Sequence, residues 1–391
     1  MVVDAEPRSW NDRAAEAEFS VVSAFVRRAG PVAWARAAAP PRTGLGGAWD
    51  EATVWHYWWQ AHLIHATVDA ARHRPSPGRR MRARMLTRGM LVRNAGCWVN
   101  PFYDDIAWLG IALERGGATT GGSRGVHQIA RRLRSAIDPT VGALPWRVGS
   151  RLFNAPANGP AAIVLARTGE VGAAADLADW LDETLRDEAT GLIRDGIVRG
   201  RAGGNVRAEL YTYCQGVSLA AQLEVARRRH DGGERFLERG IALIEAVAAW
   251  SADRDGVLLG AGGGDGGLFA GITCRTLAWA AGVLDRLASA AADPSRAATA
   301  AASARALVLR NAEALWSGRA QRDGRPVFSA DGTRRARVPT EASRPGRPRG
   351  GAVSESSEPE RDLSVQLGAW LTLEAAVVAG GELTASPKAA R

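Results

Sequence analysis

Apolar residues recur at helical spacing in twelve segments of this chain, and Gly- and Pro-rich connectors separate them. The spacing predicts helices near 12–28, 51–71, 78–93, 104–115, 122–137, 158–168, 171–186, 209–230, 233–250, 267–289, 295–316 and 361–379. No convincing run of alternating strand residues appears; Gly191–Ile197 allows a short extended or turn segment. An amphipathic helix cannot bury its apolar stripe alone, so neighbours pair into hairpins. Twelve helices make six hairpins, and six hairpins closed into a toroid make an (α/α)6 barrel. No tight repeat links the segments, which excludes a solenoid of copies and leaves a long superhelical solenoid as the structural rival. The all-α expectation is therefore a single domain over 1–391, with its core at about 10–380 and a flexible tail at 381–391.

One stretch breaks the pattern. Residues 331–360 carry Arg334, Arg335, Arg337, Arg344, Arg347 and Arg349 among Pro, Gly and Ser, then Glu355, Glu358 and Glu360. With almost nothing apolar to bury, the segment is expected to be a disordered loop before the last helix.

Asp104 and Asp105 sit side by side in Asn100-Pro-Phe-Tyr-Asp-Asp-Ile-Ala-Trp-Leu109, at the start of a helix and among three rings. Neighbouring Cα atoms are about 3.8 Å apart, so the two carboxyl groups can sit about 5 Å apart but hardly reach 9 Å. Retaining glycosidases place two carboxyls at about 5–5.5 Å, whereas inverting ones need roughly 6.5–9.5 Å to admit a water. At about 5 Å and an effective dielectric of ~20, like-charge repulsion is about 3 kcal/mol. The helix N-terminus offsets only about 0.3–1 kcal/mol of this. One carboxyl is therefore expected to stay protonated near neutrality and to act as an acid while the other attacks, with activity peaking in the weakly acidic range. The plainer alternative is that Asp104 caps the helix and Asp105 complements its dipole.

Composition removes several function classes. Of the 50 basic residues only Lys388 is a lysine, so neither a Schiff base nor a P-loop lysine is available in the body of the chain. The formal charge of +9 rests on arginine used in place of lysine throughout, and no nucleic-acid partner is expected. Cys97, Cys214 and Cys274 are odd in number and far apart; they read as buried free thiols rather than a disulfide framework or zinc site. His56, His62 and His65 have no carboxylate to complete a metal motif, so neither metal nor cofactor is expected. Met1–Ser20 contains five acidic residues and no apolar signal core, and no run reaches the length of a membrane span. The expectation is a monomer, cytoplasmic as written, or secreted if the true start lies upstream.

Several motifs accompany the Asp pair in a fixed order. They are Trp58-Trp59-Gln60, Trp146 in Leu-Pro-Trp-Arg, Pro156-Ala-Asn-Gly-Pro160, Leu192-Ile-Arg-Asp-Gly196, Tyr211-Thr-Tyr-Cys-Gln-Gly216, Gly267-Leu-Phe-Ala-Gly271 with Arg275, and Gln366. Read together, from about Trp49 to about Glu374, they resemble glycoside hydrolase family 76, the endo-α-1,6-mannanases. The resemblance implies an (α/α)6 barrel and a retaining hydrolase acting on α-1,6-linked mannose, with α-mannan or a mannosylated oligosaccharide as partner. It implies that Asp104 is the nucleophile and Asp105 the general acid/base. Asn158, Tyr213 and Gln215 match polar cleft positions and Trp146 a cleft wall. Tyr103, Trp108, Asp195, Phe269 and Arg275, from the same motifs, complete the expected substrate-binding set. Cys214, Ala270 and Leu109 depart from the family pattern, where an Asn, a Lys and a second aromatic are usual.

Two other function classes remain open. A sugar epimerase would use the same barrel but normally works with histidine proton shuttles, and five of the six histidines (at 56, 62, 65, 73, 127 and 230) precede residue 130. A non-catalytic glycan-binding barrel is kept open by the changes at Cys214 and Ala270.

Overall fold

Side-chain caps start three of the helices. Ser9 and Ser76 accept backbone N–H bonds from Asp12 and Arg79, and Asp293 accepts from Ser295 and Arg296; the second and third caps are followed by Pro at the first helical position. The computed structural model describes residues 9–39, 54–200, 203–229, 231–349 and 351–382. Among them are twelve α-helices: α1 (Trp10–Phe25), α2 (Tyr57–His73), α3 (Pro77–Arg93), α4 (Tyr103–Gly116), α5 (Ser123–Arg134), α6 (Ala155–Arg167), α7 (Val171–Leu185), α8 (Thr212–Ala226), α9 (Glu234–Trp250), α10 (Phe269–Leu287), α11 (Pro294–Ser317) and α12 (Leu363–Ala379). Every segment expected from periodicity is present. Positions 51–53 and 230 of those segments, and the tail beyond 382, lie outside the described residues.

The even-numbered helices form a closed ring, α2–α4–α6–α8–α10–α12 and back to α2, and each odd-numbered helix packs outside it. This is an (α/α)6 barrel. The inner helices read as apolar almost all round because they touch neighbours on every side; α12 is buried from Leu363 to Val377. The stretch Gly264–Ala290, which contains α10, is apolar and long enough to cross a membrane, yet 72% of its most apolar window is buried inside the barrel. Contact between α10 and α12 is close enough that a Cβ on Gly271 would overlap the backbone of Gly368. Glycine is required there by approach, not by φ.

Short strands, which periodicity did not reveal, tie the loops. β1 (Val26–Ala29) and β2 (Val32–Ala35) form a hairpin where the first helix was expected to continue to 28. β3 (Leu152–Asn154), β4 (Gly196–Gly200) and β5 (Gly203–Arg207) form an antiparallel sheet in which Asn154 pairs with Gly196. β6 (Ala320–Arg322) pairs with β7 (Arg325–Val327), and β8 (Pro348–Arg349) with β9 (Ala352–Val353). Strands of two to five residues are too short to show alternation.

The disorder expected over 331–360 is corrected by the structure. The segment folds back on itself through polar bonds: the Ser356 and Ser357 hydroxyls accept from the N–H groups of Gly346 and Arg344, and Ser354 N–H donates to the Arg347 carbonyl at 3.1 Å. Arg361, 1% exposed, donates to the Ser343 carbonyl, and Asp362 accepts from both the backbone and hydroxyl of Ser356. The apolar deficit that suggested disorder is offset here by side-chain bonds to backbone groups. Cys97 likewise departs from expectation: it is exposed, whereas Cys214 and Cys274 are buried.

Candidate active site

All six inner helices begin at one end of the barrel, and none of them has a side-chain cap. The ends of α2, α4, α6, α8 and α10 and the lobe that precedes α12 surround a cleft of about 710 Å³. Asp104 and Asp105 lie in the first turn of α4, on its floor. Neither serves as the N-cap, a position held by Phe102. The capping alternative for Asp104 is thereby removed.

The approach to α4 is built by local bonds. Asn100 Oδ1 accepts from Phe102 N–H at 2.8 Å, turning the chain, while its amide Nδ2 donates to Asp105 Oδ2 at 2.7 Å. Residues 101–103 pair with the 146–148 segment: Tyr103 N–H donates to the Trp146 carbonyl at 3.0 Å and Val148 N–H to that of Pro101 at 2.9 Å. This pairing carries the Trp146 indole to Asp104 Oδ2, to which it donates at 2.8 Å. Asp104 Oδ1 accepts from Asp105 N–H at 2.9 Å.

Burial pushes both carboxyls well above the ordinary range. Asp104 is raised to about 7, held back by the Trp146 and Asp105 N–H donors, with Asp265 adding repulsion. Asp105 is raised by burial, then by the Asp104 charge, and is lowered by Asn100. Their solvent-facing surface lies inside the cleft, so desolvation outweighs the helix dipole. The Trp146 indole and the Asp105 N–H favour the Asp104 anion, and that charge in turn raises Asp105.

Aromatic rings wall the cleft on two sides. Phe102 and Trp146 meet edge to face at 5.3 Å, and Tyr213 and Phe269 stack at 3.8 Å with 6° between planes. Gly351, at φ +100°, lies so close over Trp146 and Phe102 that a side chain would collide with both rings. The polar lobe 331–360 thus roofs one wall.

Trp108, Trp146, Asp195, Tyr213 and Phe269 line the cleft with the Asp pair. Burial raises Asp195 to about 6, and Arg207, 3.9 Å away, opposes this; the Cys214 thiol lies 4.0 Å from its Oδ1. Four expected positions do not face the cleft. Tyr103 packs away from it, 5% exposed, under the Arg132 guanidinium. Asn158 clamps a backbone instead: Oδ1 accepts from Leu144 N–H at 2.8 Å, and Nδ2 donates to the Leu144 and Asn154 carbonyls at 2.9 Å. Gln215 holds Ile193 in the same way, through N–H and C=O at 2.7 Å each. Gln60 does so with Ala35, and Gln366 with Phe328. A sequence motif cannot distinguish an amide that binds sugar from one that pins a loop, because both need the same donor and acceptor. Arg275 lies on the far side of Trp108, at the other end of the barrel.

Asp265 is the principal residue that the sequence did not single out. Its Oδ1 accepts the indole N–H groups of Trp58 and Trp59 at 3.1 and 3.0 Å, and its Oδ2 accepts Val353 N–H at 2.7 Å. It joins the start of α2 to the lobe, and burial raises it to about 6. The available signal was one acid in the Gly260–Gly267 run, which otherwise reads as a flexible rim loop.

Comparison with known proteins agrees with this geometry. The search of curated proteins found no match. The fold is shared with the GH76A α-1,6-mannanase of Salegentibacter sp. HEL1_6, at 23% identity and a TM-score of 0.75 over 95% of this chain and 100% of that one. An inactive variant of that enzyme, with two neighbouring aspartates changed to asparagine, in complex with α-1,6-mannotriose, gives 0.74 at 22% identity, covering 95% and 100% of the two chains. The family 76 mannosidase of Bacteroides thetaiotaomicron VPI-5482 gives 0.65 at 17% identity, covering 95% and 99%. Residues 40–323 match the profile described as glycosyl hydrolase family 76, which is most of the chain, and the protein belongs to that family.

Proposed function

We propose that this glycoside hydrolase cleaves α-1,6-linked mannose with retention of configuration, using Asp104 as nucleophile and Asp105 as acid/base. The observation that carries the reading is the pair itself: adjacent carboxyls on the first turn of α4, at the floor of an aromatic-walled cleft, with the Trp146 indole donating to Asp104 and the Asn100 amide to Asp105. Family membership supports glycosidase chemistry, and the α-1,6-mannanase neighbours support the linkage.

In the first step the Asp104 carboxylate attacks the anomeric carbon while the Asp105 proton passes to the departing glycosidic oxygen. The covalent mannosyl ester forms as the glycosidic bond breaks. In the second step the Asp105 carboxylate removes a proton from water, the water oxygen attacks the same carbon, and Asp104 is released. Two inversions return the α configuration. Trp146 stabilises the Asp104 anion by its indole N–H, and Asn100 fixes the Asp105 carboxyl.

Digestion of α-1,6-mannan tests the reading. Oligosaccharides released by the parent chain, and none by Asp104→Asn or Asp105→Asn, are the expected outcome. Binding of the polymer without any release would favour a glycan-binding barrel, and release of a C2 epimer would favour an epimerase.

A further inference from the structure

Arg275 belongs to a sequence motif of which the cleft uses Phe269 but not the arginine. With Arg115 and Arg167 it lines a second cavity, of about 130 Å³, at the end of the barrel opposite the cleft. Trp108 faces both spaces and separates them. Three guanidinium groups around one small space repel each other unless anions balance them.

The balance is incomplete at one residue. Asp69 accepts from Arg115 Nε at 2.9 Å and lies 3.5 Å from His65 Nε2. Glu374 is taken by Arg74, by His73 Nδ1 at 2.7 Å and by the Trp370 indole at 2.9 Å. Arg167 pairs with Glu114 at 2.8 Å and Glu224 at 2.6 Å, neither of which faces the cavity. Arg275 has one polar contact, Nη1 to His62 Nδ1 at 3.4 Å, and no ion pair among the described residues. Burial, Arg115 and Arg167 lower its pKa to about 10, with Asp69 opposing, so it remains a cation at neutral pH.

We propose that this cavity binds a small inorganic oxyanion of the phosphate or sulfate type, held by the Arg275 guanidinium, in a wall where Asp69 and Glu374 also lie but are already committed to Arg115 and to Arg74. A planar fork of N–H donors matches a tetrahedral oxyanion, and an anion here would supply the counter-charge that Arg275 lacks while Arg115 and Arg167 have theirs. One water occupies a probe volume of about 10–15 Å³, so the cavity has room for a bare oxyanion with a few waters. The same phosphate group could also arrive as a sugar ester; the space favours the free ion. The site is independent of the reaction at the cleft.

Thermal melts and calorimetry of the full chain in phosphate-free buffer test the site. Inorganic phosphate should raise Tm saturably by about 3 °C or more relative to sodium chloride at equal ionic strength. Mannose 1-phosphate should give no such shift. Arg275→Gln should abolish the response and melt at or above the parent without phosphate, because it removes a cation that lacks a counter-charge. Arg286→Gln, exposed on the same helix, should keep the response. A parent that does not respond, a response kept by Arg275→Gln, or binding of the sugar ester alone would each overturn the proposal. Crystals of the parent soaked in sodium selenate give a readout that needs no variant. An anomalous peak within hydrogen-bond reach of Arg275 supports the site, and no peak there contradicts it.

Discussion

The indole N–H of Trp146 donates to Oδ2 of Asp104 at 2.8 Å, across 42 residues of chain. That bond distinguishes two otherwise similar neighbours. Asp104 accepts two donors that favour its anion, Trp146 and the Asp105 N–H, while Asp105 accepts one, from Asn100, and is raised by the Asp104 charge.

The pH dependence of kcat/KM should follow a bell. Its acidic limb reports ionisation of Asp104, raised to about 7, and its alkaline limb reports loss of the Asp105 proton at higher pH. Burial and Asp265 thus move the optimum from the weakly acidic range to above neutrality. An acidic limb at about pH 4, the ordinary carboxylate value, would contradict the desolvated pair.

Stability should carry the same signature. Both carboxyls have folded-state pKa values above their unfolded ones, so the native site binds protons more tightly than the unfolded chain. Their contribution is fully present below about pH 4 and is lost as pH rises through the raised values. Asp105→Asn, a neutral stand-in for the protonated acid, should therefore gain a few degrees of Tm over the parent at about pH 8. The gain should shrink toward pH 4. Calorimetric scans showing equal Tm at both pH values would refute the assignment.

Asp265→Asn should act in two ways. The amide keeps one acceptor oxygen, so either Val353 N–H or the two indole N–H groups must face an NH2 donor, and the change removes a negative charge that raises both members of the pair. Tryptic cleavage within 334–349 should accelerate as the lobe loosens, and the acidic limb of the rate profile should move to lower pH. An unchanged limb would mean that the Asp265 charge does not reach the pair.

Asn158→Ala and Gln215→Ala should destabilise the protein by about 1–3 kcal/mol each, because each strands buried backbone groups of a loop. KM for mannan should stay within about twofold, a difference below about 0.5 kcal/mol. A tenfold rise in KM at unchanged Tm would return these amides to the substrate.

How much of this was legible in the sequence follows from what each element depends on. Helix existence was legible from α1 to α12 because burial of an apolar stripe is a periodic property. The α1 boundary was not, since Val26–Ala29 leaves the helix to pair with Val32–Ala35, a tertiary choice. Asp104, Asp105, Trp108 and Trp146 were legible because charges and rings crowded into few residues have few structural uses. Arg275 was misplaced since residue type does not encode which end of an inner helix a side chain faces, and Asn158 and Gln215 because an amide that pins a loop needs the same donor and acceptor as one that binds sugar. The 331–360 lobe was misread because its order rests on Ser and Asp bonds to backbone, which leave no apolar trace.

Azide rescue with an activated aryl α-mannobioside separates the roles of the two aspartates. Removing the acid still allows a good leaving group to depart, so Asp105→Ala should form the mannosyl-enzyme and pass it to azide. Asp105→Ala should give a mannosyl azide of retained configuration, with mannan hydrolysis lost. Asp104→Ala should be inactive on both substrates without azide, and any azide product should be inverted. A retained azide product from Asp104→Ala, or full mannan hydrolysis by either variant, would contradict these roles.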